Sequence, residues 1–416
     1  MRPLQSANRD AGTVSLITAT TLLVVLALGA RADAASAQDS YIIRDSAGVL
    51  IVENSGQGWS PGQEWRIEPH PVLRVGTVDG DPNYMFEQVR GATRMDDGTI
   101  VVLEGGTNEL RLFDGNGGFV RTLGGTGEGP GEFRFLTEMW VSGDTIFGFC
   151  SLQKRISVFG RSGDILETIR VDAAPGVGNP AAESQFGDGT LLVLSAPSRG
   201  LAFTLGIIQG NTWRIDRFSR AGAFMNEIAF VKESNRWGHD ISGIPSFPYL
   251  PLSLGISPYA ASGDHVHAGD PAEGSIQRWS VGGDLVRVIR WPTPEVRVTD
   301  RDRSRYREAR SEPPRGIDRA AWNRYLRDTP FPEGMPAYRR LLVDSLGNLW
   351  AERFRPPWAE EEPSWYVFDE QGAWLGEITT PRGLWVFEIG ADYVLGLERD
   401  QLHVPFVVMI PLAREE

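Results

Sequence analysis

The sequence of 416 residues has one cysteine, Cys150, and only five histidines. A single thiol can form neither an intramolecular disulfide nor a structural zinc site, so packing and hydrogen bonds must hold the fold together. Cys150 ends an apolar strand pattern and is expected to be a buried, inert thiol. The sequence also lacks a phosphate-loop ending and a Gly-x-Ser-x-Gly nucleophile motif.

Positively charged residues are fewer than negatively charged ones. Lys and Arg number 41 against 54 Asp and Glu, which gives a net charge of −13. An acidic surface repels phosphate backbones, so nucleic acid is not expected as a partner. The charge favours solubility and says little about the fold.

Only one long apolar run occurs, at residues 11–30, and it carries no charge. Arg2 and Arg9 precede it, and small-residue cleavage patterns follow it up to Ala37. This order predicts a secretory signal peptide over residues 1–37 and an exported protein, periplasmic or extracellular. The alternative is an uncleaved anchor, because about 20 apolar residues can span a bilayer. No cysteine lies at the processing site, which excludes a lipoprotein anchor.

Glycine and proline are abundant, at 48 and 27 residues, and a turn-plus-strand unit recurs six times after the predicted signal. The second position of each strand is apolar: Ile100, Ile146, Leu191, Val266, Leu349 and Val394. The fourth position is small: Val102, Gly148, Val193, Ala268, Ala351 and Gly396. Apolar residues on both faces predict strands that are covered on both sides.

Five of the six units continue with a strand, an aromatic residue, a Gly turn and a further strand, which is the pattern of a hairpin. A sheet of this kind cannot bury both of its faces alone, whereas six of them arranged radially can. The sequence therefore predicts an all-β, six-bladed β-propeller over residues 38–416. The strands Val49–Val52 and Trp65–Ile67 have no repeat of their own and are expected to complete the last blade and close the ring.

The turn-Gly, strand and strand-Phe-Asp-x-x-Gly pattern resembles the NHL-type six-bladed propeller repeat, and Gly124–Phe133 is similar to its Gly-rich connector. The resemblance covers roughly residues 41–412. It implies either a protein- or RNA-binding platform or, as in a few relatives, a metal-dependent lyase or lactonase. Fold resemblance alone does not choose between these functions.

Residues 292–341 interrupt the repeats between the fourth and fifth units. Thr299 with Asp302 indicates a helix start, and a second helix is expected from Asp318 to Asp328. Nine arginines fall within residues 301–327. The insertion is either a lid or docking surface, with Trp322 and Tyr325 as candidate partner contacts, or a helical pair packed on the blade rim.

The sixth position of each aligned strand turns polar, and these residues are expected to form a ring at one rim: Glu104, Cys150, Ser195, Asp270, Arg353 and Glu398. The carboxylates Glu104, Asp270 and Glu398 have the oxygen ligands that calcium prefers. Arg353 is a candidate contact for an anionic ligand. The simpler alternative is that each strand ends there and its last residue meets water.

His265 and His267 lie two apart on one strand and, with Asp270, have the donor types of a transition-metal site. His267 occupies a position that is apolar in the other units, which favours a packed histidine. No cofactor is predicted, although calcium suits the carboxylates of the rim.

Two functions remain open. The first is an exported, non-catalytic binding or scaffold protein that presents its rim and insertion to a protein, peptide or glycan. The alternative is a metal-dependent, lactonase-like hydrolase or lyase with its site at the centre of the propeller. The absence of any complete catalytic motif favours the binding protein.

Overall fold

The computed structural model describes residues 40–198, 204–241 and 243–414. The predicted signal segment lies outside these residues. The described residues form 30 β-strands and two α-helices, and none of their helices is long and apolar enough to cross a membrane.

Strands β1 (Tyr41–Ser46), β2 (Val49–Asn54), β3 (Arg66–Ile67) and β4 (Leu73–Val75) precede the repeats. Blade 1 consists of β5 (Val89–Arg94), β6 (Ile100–Glu104), β7 (Glu109–Phe113) and β8 (Phe119–Gly124). Blade 2 consists of β9 (Leu136–Ser142), β10 (Thr145–Cys150), β11 (Arg155–Gly160) and β12 (Ile165–Arg170). Blade 3 consists of β13 (Val177–Gln185), β14 (Leu191–Pro197), β16 (Thr212–Phe218) and β17 (Phe224–Lys232).

Blade 4 consists of β20 (Tyr259–Ser262), β21 (His265–Asp270), β22 (Ser275–Ser280) and β23 (Leu285–Arg290). Blade 5 consists of β24 (Tyr338–Val343), β25 (Leu349–Arg353), β26 (Ser364–Phe368) and β27 (Trp374–Thr379). Blade 6 contains β28 (Trp385–Ile389), β29 (Tyr393–Arg399) and β30 (Pro405–Ala413). A small separate sheet contains β15 (Gly206–Ile208), β18 (Arg236–Ile241) and β19 (Ile244–Ser246). The protein is a six-bladed β-propeller.

An apolar cluster fills each boundary between neighbouring blades. Ile100 and Val102 of blade 1 pack with Leu395 of blade 6, so the contact also closes between the last blade and the first. The other five boundaries are filled in the same way. Each sheet therefore buries both faces against its neighbours, which is the property that the two-sided apolar pattern predicts.

The small fourth position of the repeat is explained by close contacts in two of the blades. A Cβ added to Gly148 would lie 2.9 Å from the ring of Phe133, in the connector between blades 1 and 2. A Cβ added to Gly396 would lie 2.7 Å from the carbonyl oxygen of Trp385, on the adjacent strand of the same blade. Both approaches are closer than ordinary van der Waals contact, so these two positions have no room for a larger side chain.

The N-terminal strands close the ring, but they do not all join the same blade. Leu73–Val75 and Arg66–Ile67 pair antiparallel with β30 and supply the outer strand of blade 6. The expectation that Val49–Val52 joins this blade is wrong, because β2 pairs in parallel with β23 of blade 4. β1 then pairs with β2, so blade 4 has six strands. The hairpin covers an outer sheet edge that the repeat would leave open.

Asn54, at the end of β2, fixes this added hairpin to two blades. Its buried side-chain amide donates to the carbonyl oxygens of Arg290 and Gly372, at 2.9 and 3.1 Å. Its side-chain oxygen accepts the backbone N–H of Trp374 at 2.7 Å. One side chain thus satisfies backbone groups of blades 4 and 5.

The segment between blades 4 and 5 contains α1 (Asp300–Ala309) and α2 (Arg319–Asp328). Thr299 and Asp302 form a capping box that satisfies the first amides of α1. Asp318 caps α2 by accepting the backbone N–H of Ala321 at 2.9 Å. Both helices lie on the side of the propeller where the second strands of the blades end.

We expect Asn54→Ala to lower the free energy of unfolding by about 2–4 kcal/mol, because it leaves buried backbone groups without partners. Urea denaturation of the variant and the parent protein measures the difference. Ser55→Ala is the control, since the hydroxyl of Ser55 makes one exposed hydrogen bond to Ser40. Equal decreases in the free energy of unfolding of the two variants would contradict the role of Asn54 in connecting blades 4 and 5.

Candidate functional site

The rim column of the sequence analysis lies at the ends of the second strands, not at the centre of the propeller. The central channel is instead lined by the first strands, since one cavity of about 500 Å³ contacts β5, β9, β13, β20, β24 and β28. The column and the channel are therefore separate sets of residues.

Glu104 is fully buried and its carboxylate is already saturated by the backbone. One oxygen accepts the N–H groups of Gln88 and Gly106, at 2.8 and 2.9 Å, and the other accepts that of Glu87 at 3.1 Å. These bonds order the loops on either side of the first blade. Such a carboxylate is a structural anchor and has little capacity left for a metal ion.

The other two carboxylates of the column are engaged in separate ion pairs. Asp270 lies 2.8 Å from the ammonium of Lys232, and this contact raises the pKa of the lysine. Glu398 lies 3.5 Å from the guanidinium of Arg74. Over the described ranges, no three His, Cys, Asp or Glu side chains are grouped so that they could hold a metal ion. Glu104, Asp270 and Glu398 therefore do not form one group of metal ligands in the described residues.

The remaining polar positions of the column are also structural. The thiol of Cys150 is buried and accepts the backbone N–H of Phe135 at 3.3 Å. The hydroxyl of Ser195 is buried and donates to Asp216 at 2.5 Å. Two members of the column border open cavities: Asp270 lines one of about 980 Å³, and Arg353 lines a smaller cleft. The Arg353 cleft is the candidate site of the two, because Asp270 is already paired with Lys232.

This cleft, of about 490 Å³, lies between α1 and the loop that joins β25 to β26. Four arginines line it: Arg301 and Arg305 from α1, and Arg353 and Arg355 from the end of β25 and the residues after it. Arg301 and Arg305 are four residues apart and therefore share one face of the helix. We call these four side chains the arginine cleft.

Three members of the arginine cleft have no ion pair or hydrogen bond to any residue that the structure describes: Arg301, Arg305 and Arg353. Arg355 donates to the carbonyl oxygen of Glu361. Burial, together with repulsion from Arg339, lowers the pKa of Arg355. The exposed residues Glu360, Glu361 and Glu362 form the outer lip of the same cleft.

Trp322 and Tyr325 were candidate partner contacts under one of the two alternatives for the insertion, and the structure places them in a packed aromatic stack, as the other alternative expects for Trp322. Their rings lie 4.7 Å apart, and Tyr325 also stacks against Trp237 and His239 of β18. Trp322 is 7% exposed and its indole N–H donates to the carbonyl of Arg310 at 2.7 Å. The pair fastens α2 to the small sheet, so Trp322 presents little surface to a ligand.

His265 and His267 do not form a metal site with Asp270. His265 lies 2.5 Å from Asp264 and contacts Arg278, while His267 is buried in the blade. Burial, reinforced by Arg278, lowers the pKa of His267 to about 3. The imidazole is therefore neutral in the folded protein, and its Nδ1 has no partner in the part of the chain that the structure describes.

The sequence analysis did not find the polar residues of the channel. In five of the six blades, the first strand has one extra residue opposite the second strand: Arg90, Thr137, Glu183, Arg339 and Phe387. A bulge of this kind turns a side chain away from the regular alternation, often next to a binding site. Such a shift between paired strands leaves no clear pattern in a single sequence.

Two carboxyl groups from neighbouring blades meet in this channel. Burial, together with repulsion from Glu183, raises the pKa of Glu138 to about 8. Burial likewise raises the pKa of Glu183 to about 7, and the hydroxyl of Tyr259 hydrogen-bonds to it. The pair therefore holds a proton near neutral pH. We call Glu138 and Glu183 the carboxyl pair.

A family model described as a 6-bladed beta-propeller matches residues 88–185, which contain blades 1 and 2 and the first strand of blade 3. No curated protein sequence matches the chain.

Among solved structures, the chain is similar to a member of the duf4221 family from Bacteroides vulgatus, with 11% identity, 85% of this chain and 99% of that chain covered, and a TM-score of 0.48. It is also similar to a protein of Bacteroides fragilis described as exported, with 13% identity, 84% and 98% coverage and a TM-score of 0.46. Virginiamycin B lyase from Staphylococcus aureus matches with 11% identity, 84% and 99% coverage and a TM-score of 0.40. Similarities this distant carry no argument about what the chain binds or catalyses.

Protonation of His267 links stability to pH. The pKa of His267 is about 3 in the folded protein, below its ordinary value of 6.5. Below pH 6.5 the imidazole is therefore protonated in the unfolded chain but stays neutral in the folded protein. The free energy of unfolding therefore decreases as the pH falls from 6.5 toward 3, and about 2 kcal/mol of it is lost by pH 5.

We expect His267→Phe to remove this part of the loss, since Phe147 occupies the same position of blade 2. Urea denaturation at pH 7 and pH 5 measures the loss in each protein. His70→Phe, at an exposed position, is the control. An unchanged pH dependence in His267→Phe would show that the buried imidazole is not its source.

Proposed function

We propose that the protein is an exported binding module that holds the acidic group of its ligand in the arginine cleft. The observation that carries this proposal is the convergence of three unpaired arginines on one concave site: Arg301, Arg305 and Arg353. Arg305 and Arg353 are half-buried, whereas Arg301 is exposed, and arginines that are partly buried ordinarily have anionic partners. Here the partner is supplied by the ligand.

The chemistry of guanidinium defines the group that the cleft selects. A guanidinium presents paired N–H donors that match the two oxygens of a carboxylate, and such charge-assisted bonds are stronger than neutral ones. The arginines face each other from a helix and from a strand end, so a carboxylate between them can be contacted from both sides. Carboxylate groups of a glycan or a peptide fit this arrangement.

The loop that carries Arg355 is held against the helix that carries Arg301 and Arg305. Trp358 hydrogen-bonds to Asp302, whose carboxylate also caps α1 through Thr299. The two walls of the cleft are thus connected before any ligand arrives, which reduces the entropy lost on binding. The half-buried ring of Trp358 adds an apolar surface on which a sugar ring can pack.

The overall charge makes the arginine cleft the preferred place for an acidic ligand. With a net charge of −13, the protein repels anions over much of its surface. The nine arginines of residues 301–327 form a local exception, and the cleft is its concave part. The apolar run at residues 11–30 supports export, and an exported protein would meet its ligand in the periplasm or outside the cell.

We expect Arg353→Gln and Arg305→Gln each to weaken binding of an oligogalacturonate by about tenfold or more, because each removes a charge-assisted contact. Isothermal titration at low and high salt measures the affinity, which falls as salt screens the contact. Maltotriose is the neutral ligand. Arg170→Gln is the matched control, since Arg170 is exposed and pairs only with Asp172.

The proposal fails if the two cleft variants bind the oligogalacturonate as tightly as Arg170→Gln does, or if maltotriose binds equally well. A glutamate-rich peptide titrated in parallel separates the two ligand classes. Tighter binding of this peptide, lost in the same variants, would retain the cleft and assign it to an acidic peptide.

A further inference from the structure

The channel wall between blades 2 and 3 brings together groups that the arginine cleft does not use. Glu138 and Trp140 are two residues apart on β9, so they lie on the same face, which is turned toward blade 3. The bulge of β13 contributes Glu183, and β20 contributes Tyr259. All four residues line one cavity of about 500 Å³.

The charge of the carboxyl pair is poorly compensated within the channel. Arg90 is the cation that acts on Glu138, but its guanidinium already donates to the carbonyl of Leu136 and the side chain of Gln88, at 2.8 and 3.1 Å. Across the channel, Glu388 accepts hydrogen bonds from Thr93, from the backbone of Arg94 and from Tyr393. That carboxylate is satisfied, whereas the carboxyl pair has room for a cation.

Trp140 supplies a second, independent indication of a ligand. Its side chain is only 8% exposed, and its indole N–H has no acceptor in the described part of the chain. A buried donor without a partner is costly and is usually matched by water or a ligand. The ring is held in place by stacking on Phe147, at 5.2 Å between centroids and 7° between planes.

We propose that this cavity binds a small organic amine that also carries a hydroxyl or carbonyl oxygen. The ammonium group lies between Glu138 and Glu183 and donates to both carboxylates. The ligand oxygen accepts the indole N–H of Trp140. The ring of Trp140, which lines the same cavity, adds cation–π attraction and apolar contact.

Binding of a cation is coupled to release of protons in this arrangement. The carboxyl pair is largely protonated near pH 6, because burial raises the pKa of both groups, and it must ionise to hold an ammonium. Arg90, Tyr259 and Glu388 also face the pair, and burial raises the pKa of both Tyr259 and Glu388. Affinity therefore rises with pH, by about tenfold per unit for each proton released.

The test uses the full protein and ethanolamine, whose amine stays charged from about pH 6 to about pH 8.5. Thermal unfolding and isothermal titration at both ends of this range measure its affinity. We expect binding to be at least tenfold tighter at the higher pH and to release protons into the buffer. Propylamine lacks the hydroxyl and should bind more weakly, while ethylene glycol lacks the amine and should not bind.

Variants distinguish a loss of the binding site from a loss of the fold. Glu183→Gln should abolish ethanolamine binding while leaving the protein at least as stable at high pH, because it removes a buried charge. Trp140→Phe retains the ring and should remove the preference for ethanolamine over propylamine. Glu377→Gln, at an exposed position on β27, should bind as the parent protein does.

Three results would overturn the proposal: affinity that does not change with pH, full binding by Glu183→Gln, or equal binding of ethylene glycol. Calcium added in place of the amine is the remaining comparison. Stabilisation by calcium that ethanolamine does not reproduce would show that the cavity takes a metal ion and not an amine.

Discussion

Two-sided burial of every sheet is the constraint on which the rest of the structure depends. A blade exposes one apolar face to each side, and neither face is stable in water, so a blade needs two neighbours. Six apolar clusters at the six boundaries meet this need only if the last blade contacts the first. Leu73–Val75 precedes blade 1 in the chain and is hydrogen-bonded to β30 of blade 6. This pairing fastens the last blade to the segment that leads into the first.

The candidate sites consequently lie in two places. The faces of the sheets are filled mostly by apolar side chains, with buried exceptions such as Asp216 and His267, so the polar groups that can meet a ligand lie at the strand ends and in the channel. At the strand ends water and loops are available, and most polar residues there, such as Glu104, are used to order the backbone. In the channel the six first strands surround a narrow space, and carboxyl groups there lose much of their hydration. The raised pKa values of the carboxyl pair follow from this confinement.

The sequence was sufficient for the fold because apolar and small positions repeat with the period of the blades. Ile100, for example, lies in the apolar cluster between blades 6 and 1, and Gly148 leaves room for Phe133 of the cluster between blades 1 and 2. The polar residues of the channel were not predicted, because they lie on the first strands, outside the aligned repeat, and the bulge at Glu183 is a property of strand pairing. Likewise, Val49–Val52 has an apolar pattern that fits any open sheet edge, so its pairing with blade 4 depends on Asn54 and distant backbone groups. The sequence marked Arg353 as a candidate contact for an anionic ligand, but the neighbouring Arg301 and Arg305 come from a helix whose placement no repeat specifies.

The separation of the two candidate sites has an electrostatic reason. Four arginines and two carboxyl groups in direct contact would form ion pairs and lose their capacity for a ligand. The arginine cleft lies between α1 and the loop that joins β25 to β26, whereas the carboxyl pair lies between the first strands of blades 2 and 3. The sheets of the blades keep the two sets apart, so the cleft arginines and the carboxyl pair do not form ion pairs with each other. A rigid ring of sheets thus allows one chain to hold a cluster of arginines and a pair of acids at separate sites.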